Sequence, residues 1–197
     1  MPASDALRWN KRYRGRPAED PPAPRGWLLE QQAWLPASGL ALDVAMGLGG
    51  SAGWLLGRGL RVVGLDISEV AARRAKARCP ALQAAVVDLA GLSLPERAFD
   101  VILNFYYLDR ALWPQYARAL RPGGLLYFET FMRPADGPPA PGDQNPAYVL
   151  EPGELRAAFA HWRILADHEG APPACDTPEH PDAPARTVAS LVARRER

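Results

Sequence analysis

The stretch that decides the fold is Leu40-Ala-Leu-Asp-Val-Ala-Met-Gly-Leu-Gly-Gly50, followed by Val62-Val-Gly-Leu-Asp-Ile-Ser68. An apolar strand enters a glycine turn, a helix follows, and a second apolar strand ends in an aspartate. This order of elements is typical of the nucleotide-binding first half of an α/β sheet. The glycines allow the backbone to approach a ligand closely, because a Cβ at those positions would clash. A purely structural tight turn would carry the same glycines, so the loop alone leaves the ligand open.

Outward from this stretch, strand and helix patterns alternate. Periodicity predicts strands at residues 40–45, 61–65, 82–87, 99–104, 125–129, 162–167 and 187–193. It predicts helices at residues 4–16, 27–34, 50–59, 68–79, 111–120 and 151–160. This alternation predicts an α/β protein with a mostly parallel sheet that is covered on both sides.

Length and composition set broad bounds on the protein. The 197 residues predict a single domain, residues 1–197, large enough to bury a full core. Residues 1–26 are expected to form a helical and proline-rich cover segment, and residues 133–146 a proline- and glycine-rich surface loop, a candidate lid. The formal charge of +1 gives no general attraction to nucleic acid or to an anionic membrane.

The expected environment is the cytoplasm. Two cysteines that lie far apart predict unpaired thiols in a reducing compartment. No apolar run is long enough to span a bilayer, and the N-terminus lacks the features of a signal peptide. We therefore expect no membrane association and no bound metal. Nucleic acid is disfavoured as a partner, and the sequence leaves monomer and homodimer open.

Two aspartates narrow the kind of ligand. Asp66 stands at the tip of the second strand, where an acid accepts both ribose hydroxyls of NAD and of S-adenosylmethionine equally well. Asp43 lies within the first strand, where dinucleotide-binding strands are usually apolar, and its carboxylate can hold the loop and face a cationic ligand. S-adenosylmethionine carries an ammonium and a sulfonium and lacks the pyrophosphate that a bare helix N-terminus binds. Asp43 therefore favours S-adenosylmethionine, although a structural role in capping backbone amides is compatible with the same position.

A third acid follows the third strand. Asp88 is placed to accept the amino group of an adenine, and the amide of Leu89 to donate to a ring nitrogen. A solvated loop aspartate is the alternative. Acids that follow three successive strands share the carboxyl edge at which open α/β sheets bind ligands.

Taken together, these motifs resemble those of the class I S-adenosylmethionine-dependent methyltransferases. Asp43-Val-Ala-Met-Gly-Leu-Gly49 resembles their acid-x-Gly-x-Gly-x-Gly loop, with Ala45 in place of the first glycine. Phe99-Asp-Val-Ile-Leu-Asn104 resembles their fourth strand, and Leu120-Arg-Pro-Gly-Gly-Leu-Leu-Tyr-Phe128 their turn into the fifth. The resemblance implies a Rossmann-like three-layer sandwich, with a mostly parallel seven-stranded sheet and an antiparallel C-terminal strand. It also implies S-adenosylmethionine as cofactor, bound by Asp43, Ala45, Met46, Gly47, Gly49, Asp66, Ile67, Asp88, Leu89 and Asn104.

Within that class, four strings are similar to those of the tellurite-resistance-type (TehB-like) methyltransferases. They are Asn104-Phe-Tyr-Tyr-Leu-Asp-Arg110, Tyr127-Phe-Glu-Thr-Phe131, Asn145-Pro-Ala-Tyr-Val-Leu-Glu-Pro-Gly-Glu-Leu155 and Ala189-Ser-Leu-Val-Ala-Arg194. The His-Arg pair that follows the sixth strand in that subfamily is replaced here by Glu169-Gly-Ala-Pro-Pro-Ala174. This replacement argues against tellurite or selenium chemistry.

Four residues are weak candidates for catalysis. Tyr106 and Tyr107 follow the fourth strand and are candidates for an aromatic wall around a small acceptor, with core packing as the alternative. Glu129 stands within an apolar strand, where a buried carboxylate needs a partner; a structural hydrogen bond is an equal alternative. His168 ends the predicted sixth strand. Separately, three residues of the first helix are candidates for a cover over the cofactor, namely Trp9, Tyr13 and Arg14.

The sequence therefore predicts an S-adenosylmethionine-dependent methyltransferase with a small-molecule acceptor. Phe105 and Tyr106 replace the two prolines of the Asn-Pro-Pro-Tyr motif that presents an amide or adenine nitrogen, which argues against DNA or glutamine as acceptor. An RNA or protein methyltransferase and a non-catalytic cofactor-binding module stay open as alternatives. A nicotinamide oxidoreductase is a weaker one, because the third acid and the two-strand ending disfavour it.

Overall fold

The computed structural model describes residues 3–17, 22–136, 145, 147–173 and 186–196. Within them, seven strands form one sheet in the spatial order β3-β2-β1-β4-β5-β7-β6. The strands are β1 (Leu40–Val44), β2 (Arg61–Asp66), β3 (Gln83–Val86), β4 (Phe99–Phe105), β5 (Leu120–Phe131), β6 (Arg163–Gly170) and β7 (Val188–Arg194). The order reverses next to β1, and this reversal opens the crevice where α/β sheets bind ligands.

The pairing of the strands confirms the predicted fold class. β1 pairs in parallel with β2 and β4, and its last residue Val44 lies opposite Leu65 and Asn104. β7 is antiparallel to both β5 and β6. The sheet is thus mostly parallel with an antiparallel C-terminal strand, and its carboxyl edge carries the ends of β1, β2 and β4 together.

Helices cover both faces of the sheet and complete the three layers. They are α1 (Ala3–Arg14), α2 (Gly26–Glu30), α3 (Gly50–Gly57), α4 (Glu69–Arg78), α5 (Trp113–Ala119) and α6 (Glu154–Ala158). Buried residues of α2, α3 and α4 pack on one face, which we call the glycine-loop face. Buried residues of α5, together with Leu155 and Phe159 of the α6 region, pack on the other, which we call the α5 face.

Several predicted elements have different bounds in the structure. The single helix predicted at residues 27–34 is α2 followed by a 3-10 turn at Gln32–Trp34, and the helix predicted at residues 111–120 is preceded by a 3-10 turn at Arg110–Leu112. β5 is longer than predicted because Leu120 already pairs with Phe99, before an irregularity that absorbs Pro122, Gly123 and Gly124. Of the predicted loop, residues 137–144 and 146 lie outside the described residues.

The first helix is anchored to the rest of the fold at two points. Asn10 Oδ1 accepts hydrogen bonds from the Ser68 hydroxyl (2.7 Å) and the Val70 amide (3.2 Å), at the N-terminus of α4. The Arg74 guanidinium donates to the carbonyl oxygens of Tyr13, Arg16 and Pro17 at 2.6–3.1 Å. These bonds fix both the body and the C-terminal end of α1 beside the glycine loop.

Candidate cofactor-binding site

The loop after β1 has an unusual backbone. Gly47 and Gly49 lie in the left-handed region, with φ of 56° and 78°, and so does Ala45, with φ of 54°. Left-handed backbone is strained for a residue with a Cβ, so Ala45 carries the strain that glycine would avoid. The loop is closed by hydrogen bonds from the Met46 amide to the Leu65 carbonyl (2.9 Å) and from the Gly49 amide to the Met46 carbonyl (3.0 Å).

Asp66 joins this loop to the end of β2. Its carboxylate accepts one hydrogen bond from the Gly47 amide (2.8 Å) and one from the Ser68 amide (2.7 Å). Burial raises the pKa of Asp66, and these two amides oppose the rise. A carboxylate fixed by two backbone donors still has lone pairs for further donors, so Asp66 can accept hydroxyl groups of a ligand in this crevice.

Asp43 is a buried carboxylate that is incompletely satisfied. Its side chain is 3% exposed, and its Oδ2 has no hydrogen-bond partner within the described residues. Burial raises the pKa of Asp43 to about 7; the Arg25 charge lowers it, Asp66 raises it, and the Ala52 amide of α3 lowers it. A cation placed beside a buried carboxyl group with a raised pKa stabilises its ionised form.

The first helix covers the glycine loop through Tyr13. A Cβ built on Gly47 would lie 2.8 Å from the Tyr13 hydroxyl, so glycine is needed there for the helix to dock. Burial, followed by the charge of Asp66, raises the pKa of Tyr13 to about 12, and its hydroxyl therefore keeps its proton at neutral pH. The Trp9 ring stacks on the Tyr13 ring at 5.8 Å, whereas Arg14 is exposed.

Two other predicted cofactor-binding residues turn their side chains into the core. Met46 is buried on the glycine-loop face, where a Cβ on Gly64 would collide with its side chain. Leu89 is 5% exposed and packs on the α5 face. Ile67 is half-buried between Asp66 and Ser68. If Met46 and Leu89 contact a cofactor, they do so through backbone atoms.

Asp88 and Asn104 occupy different surroundings from Asp43 and Asp66. Asp88 follows the third strand as expected, although β3 ends at Val86, one residue earlier than predicted. The Asp88 side chain is exposed, and its Oδ1 accepts a hydrogen bond from the Ala90 amide (3.0 Å). That amide lowers the pKa of Asp88. Asn104 is completely buried on the α5 face and donates through Nδ2 to the Tyr116 hydroxyl (2.8 Å). The expected contact of Asn104 with the cofactor is one through its backbone and stays a prediction, since β4 directs the Asn104 side chain to the α5 face.

The two tyrosines after β4 separate. Tyr107 packs against the core of the α5 face, and burial raises its pKa to about 12. Tyr106 packs on the glycine-loop face with φ of 58°, a strained conformation for an aromatic residue. Its amide donates to the Glu129 carbonyl (2.7 Å), and its ring lies 4.9 Å from the Phe131 ring. Strained residues cluster at functional sites, and this one presents its ring beside the ends of β4 and β5.

Glu129 and His168 lie farther along the same edge. Glu129 is completely buried, and its Oε2 accepts a hydrogen bond from the Ser190 hydroxyl (2.7 Å), so the structural role foreseen for it is present. His168 lies on the edge strand β6, opposite Ser190 of β7. Its ring stacks on the Trp27 ring at 6.4 Å, and its Nε2 lies 3.0 Å from the Ala171 carbonyl oxygen. Three strand spacings, about 14 Å, separate β6 from β4. The structure therefore does not bring His168 to the glycine loop.

One residue of the crevice, Arg25, was not predicted from the sequence. Arg25, directly before α2, places its guanidinium 4.6 Å from the centre of the Tyr106 ring. Its charge lowers the pKa of Asp43 and of Tyr13. A single arginine in a proline-rich segment belongs to no recognisable motif, and only the folded chain brings it to this crevice.

The residues present fit S-adenosylmethionine. The crevice contains an acid that can accept ribose hydroxyls, a buried carboxylate oxygen that lacks a partner within the described residues, and a buried loop whose glycines have no side chain to block a ligand. Asp43, Gly47 and Asp66 supply these features. Among the residues that the structure describes, no group of three or more His, Cys, Asp or Glu side chains is suited to a metal. Nor does any helix in those ranges have the length and apolar character needed to cross a membrane.

Comparisons with known proteins give the family. A family model described as a methyltransferase domain matches residues 41–124. The chain is 30% identical over 177 residues to trans-aconitate 2-methyltransferase of Methylobacterium radiotolerans, a match that covers 80% of this chain and 67% of that protein. It is 32% identical over 123 residues to a probable S-adenosylmethionine-dependent methyltransferase of Mycolicibacterium smegmatis, a match that covers 59% of this chain but only 46% of the relative. The chain thus spans about half the length of that relative.

Solved structures agree with the fold. TehB from Haemophilus influenzae has a TM-score of 0.73 at 18% identity, over 85% of this chain and 61% of that one. An S-adenosylmethionine-dependent methyltransferase from Mesorhizobium loti has a TM-score of 0.66 at 22% identity, over 93% and 100%. At these identities the likeness shows the fold alone, and TehB is one neighbour among many. The chain belongs to the class I S-adenosylmethionine-dependent methyltransferases, a family whose cofactor is S-adenosylmethionine.

Proposed function

We propose that this protein transfers the methyl group of S-adenosylmethionine to a small-molecule acceptor. The observation that carries the proposal is the convergence of Asp43, Gly47 and Asp66 on one crevice. The Asp66 carboxylate is bonded to the Gly47 amide, and its charge acts on Asp43, a buried carboxylate with one oxygen unpartnered within the described residues. The acceptor class is supported by the relative that acts on trans-aconitate. The finer resemblance to tellurite-resistance-type enzymes stays a prediction.

In this proposal the chain's residues bind and orient the cofactor. Asp66 accepts the ribose hydroxyls, Asp43 stabilises the cationic amino-acid end, and Asp88 accepts the adenine amino group. When bound, S-adenosylmethionine supplies an electrophilic methyl group on a sulfonium that is its own leaving group. The protein therefore contributes mainly alignment and exclusion of water.

The acceptor side is proposed to lie beside Tyr106 and Phe131. Their rings are 4.9 Å apart at the ends of β4 and β5. The Arg25 guanidinium lies over the Tyr106 ring (4.6 Å) and that of Arg186 over the Phe131 ring (3.3 Å), so this surface combines aromatic rings with positive charge.

Tyr107 keeps its proton at neutral pH because burial raises its pKa to about 12, so it is unsuited as a general base. Glu129 is bound through its backbone carbonyl to the Tyr106 amide and through its carboxylate to Ser190, and we assign it a positioning role for Tyr106.

Isothermal titration calorimetry tests the proposal directly. The protein is titrated with S-adenosylmethionine, with S-adenosylhomocysteine and with NAD, and saturable binding of the two adenosyl compounds alone is expected. Binding of NAD alone, or of none of the three, would contradict the proposed activity. Binding without turnover in a screen of small acceptors would favour a non-catalytic cofactor-binding module.

A pair of variants tests the site itself. Asp66→Ala removes the proposed ribose contact and should weaken S-adenosylhomocysteine binding by about 10- to 100-fold, the range for a lost charge-assisted hydrogen bond. Asp100→Ala is the matched control, because Asp100 also accepts a backbone amide, that of Leu40 (2.7 Å), at the opposite edge of the sheet. Unchanged affinity in the Asp66 variant would remove Asp66 from the site.

A further inference from the structure

Arg25 occupies a defined place at the entrance of the crevice. Its amide donates to the Ser51 hydroxyl (3.2 Å) in the first turn of α3, which ties this segment to the helix that follows the glycine loop. A Cβ on Gly50 would lie 2.8 Å from the Pro22 carbonyl, so the chain just before Arg25 lies directly on the start of that helix. The backbone of Arg25 is thus held against the loop while its side chain remains exposed.

The guanidinium acts on three residues of the crevice that come from three separate segments. It lies over the Tyr106 ring at 4.6 Å. Its charge lowers the pKa of Asp43 on β1 and that of Tyr13 on α1. Within the described part of the chain, no carboxylate is within ion-pair distance of this guanidinium. A contact with an aromatic face leaves the N–H donors in the guanidinium plane able to bind an anion.

The cofactor of this family carries an anion as well as cations. Its amino-acid end has an α-carboxylate beside the α-ammonium, so a site that binds it needs a positive group next to a negative one. Asp43 and Arg25 are such a pair, and a guanidinium matches a carboxylate with two parallel hydrogen bonds. A ligand with the opposite arrangement of charges could satisfy both residues at once.

We propose that Arg25 binds the α-carboxylate of the cofactor's amino-acid end and is stacked in place for that contact by Tyr106. This inference rests on the proposed function, because it names a further contact of the same site. It also assigns Tyr106 a second role, which is to fix the orientation of the guanidinium.

Two ligands separate the carboxylate contact from the rest of the site. S-adenosylhomocysteine carries the amino-acid end, whereas 5′-deoxy-5′-methylthioadenosine has the same adenosine and sulfur without it. Affinities of both are measured by calorimetry for the wild-type protein and for Arg25→Ala. The measurement is made at pH 8 and at pH 9, because loss of the Arg25 charge raises the pKa of Asp43 above its wild-type value of about 7. A loss of affinity caused by protonation of Asp43 shrinks at the higher pH, whereas loss of the carboxylate contact does not. We expect Arg25→Ala to lose about 10- to 100-fold in affinity for S-adenosylhomocysteine and less than about twofold for methylthioadenosine.

Arg58→Ala is the matched control for this experiment. Arg58 also stacks on an aromatic ring, that of Trp54 at 4.9 Å, but it lies at the C-terminus of α3, away from the loop. This variant should bind both ligands as the wild type does. Methylthioadenosine also reports whether Arg25→Ala still forms the site.

The outcomes distinguish this inference from the proposed function. If the wild type binds neither ligand, the proposed function fails. If the wild type binds both and Arg25→Ala keeps full affinity for S-adenosylhomocysteine, only the assignment of Arg25 is overturned. Equal losses for the two ligands would also overturn it, since Arg25 would then act on the shape of the site rather than on the carboxylate.

Discussion

Ala45 shows how a single residue stores strain at the proposed site. Its φ of 54° lies in the left-handed region, which costs a residue with a Cβ roughly 1–2 kcal/mol. Ala45→Gly removes that cost but adds unfolded-state entropy worth about 0.4–1 kcal/mol. We therefore expect a net gain of about 0–1.6 kcal/mol in the free energy of unfolding, measured by urea denaturation.

The matched control for this change is the same substitution in ordinary helical backbone. Ala117 lies within α5, where glycine should cost roughly 0.5–1 kcal/mol. The two variants should thus shift the urea midpoint in opposite directions. A loss of stability in Ala45→Gly equal to that in Ala117→Gly would show that the strain is absent.

Asp43 is expected to oppose stability in the free protein. Burial raises its pKa from 3.8 to about 7, so the native state holds this proton more tightly than the unfolded state does. The contribution of Asp43 to the free energy of unfolding therefore falls as the pH rises from about 4 to 7, and the full penalty remains above that. Asp43→Asn should stabilise the ligand-free protein at pH 8 by up to about 4 kcal/mol, since each unit of pKa shift is worth about 1.4 kcal/mol.

The same comparison at pH 4.5 provides an internal control. Asp43 is then largely protonated in the folded wild type, so the stability advantage of Asp43→Asn should shrink toward zero. The variant should also bind S-adenosylhomocysteine more weakly at pH 8, because the amide cannot pair with a cation. An Asp43→Asn protein that is less stable than the wild type at both pH values would contradict this account.

At the scale of the elements, α1 is held on the glycine loop by a few polar contacts. The Arg74 guanidinium binds three carbonyl oxygens at the end of α1, and a guanidinium that donates several such bonds contributes more than a surface ion pair does. Arg74→Ala should therefore release the segment that carries Tyr13. We expect faster tryptic cleavage within residues 8–14 and weaker binding of S-adenosylhomocysteine, by about tenfold.

Arg73→Ala is the control on the same helix. Within the described residues Arg73 pairs with Glu69 alone, and its side chain is 79% exposed. Exposed i, i+4 pairs are worth about 0.3–0.5 kcal/mol, so this variant should resist trypsin as the wild type does. If both variants were cleaved at the same rate, Arg74 would not be what holds α1.

The same scale shows what could be predicted from the sequence. The positions of the strands along the chain could be predicted because buried parallel strands are continuous apolar runs, as in β1, β2 and β4. The places of Asp43 and Asp66 in the site could be predicted because both lie at fixed distances in sequence from the glycine loop. The direction of the Asn104 side chain could not, since the strand alternates faces and no local signal says which face is bound by ligand. The place of Arg25 in the site could not be predicted for another reason, which is that its partners belong to segments distant in the chain.

At the scale of the whole molecule, the topology collects the ionisable groups of the site in one crevice. The strand order reverses beside β1, so Asp43, Asp66 and Arg25 meet although they belong to three separate segments. Asp43 and Asp66 are buried, so their charges are poorly screened by water and each responds to its neighbours, including the exposed Arg25. Folding stability and ligand binding are therefore linked through the same proton on Asp43.

This linkage gives a prediction for the pH dependence of cofactor binding. A cation beside Asp43 requires the carboxylate, so binding at a pH below about 7 must release a proton. The association constant for S-adenosylhomocysteine should therefore level off near pH 8 and fall by close to tenfold per pH unit between about pH 6 and 5. Calorimetry in buffers of different ionisation enthalpy measures the released proton directly. The dependence should disappear in Asp43→Asn and for methylthioadenosine, which has no ammonium; an equally steep dependence in that variant would assign the proton to Asp66, whose pKa is also raised by burial.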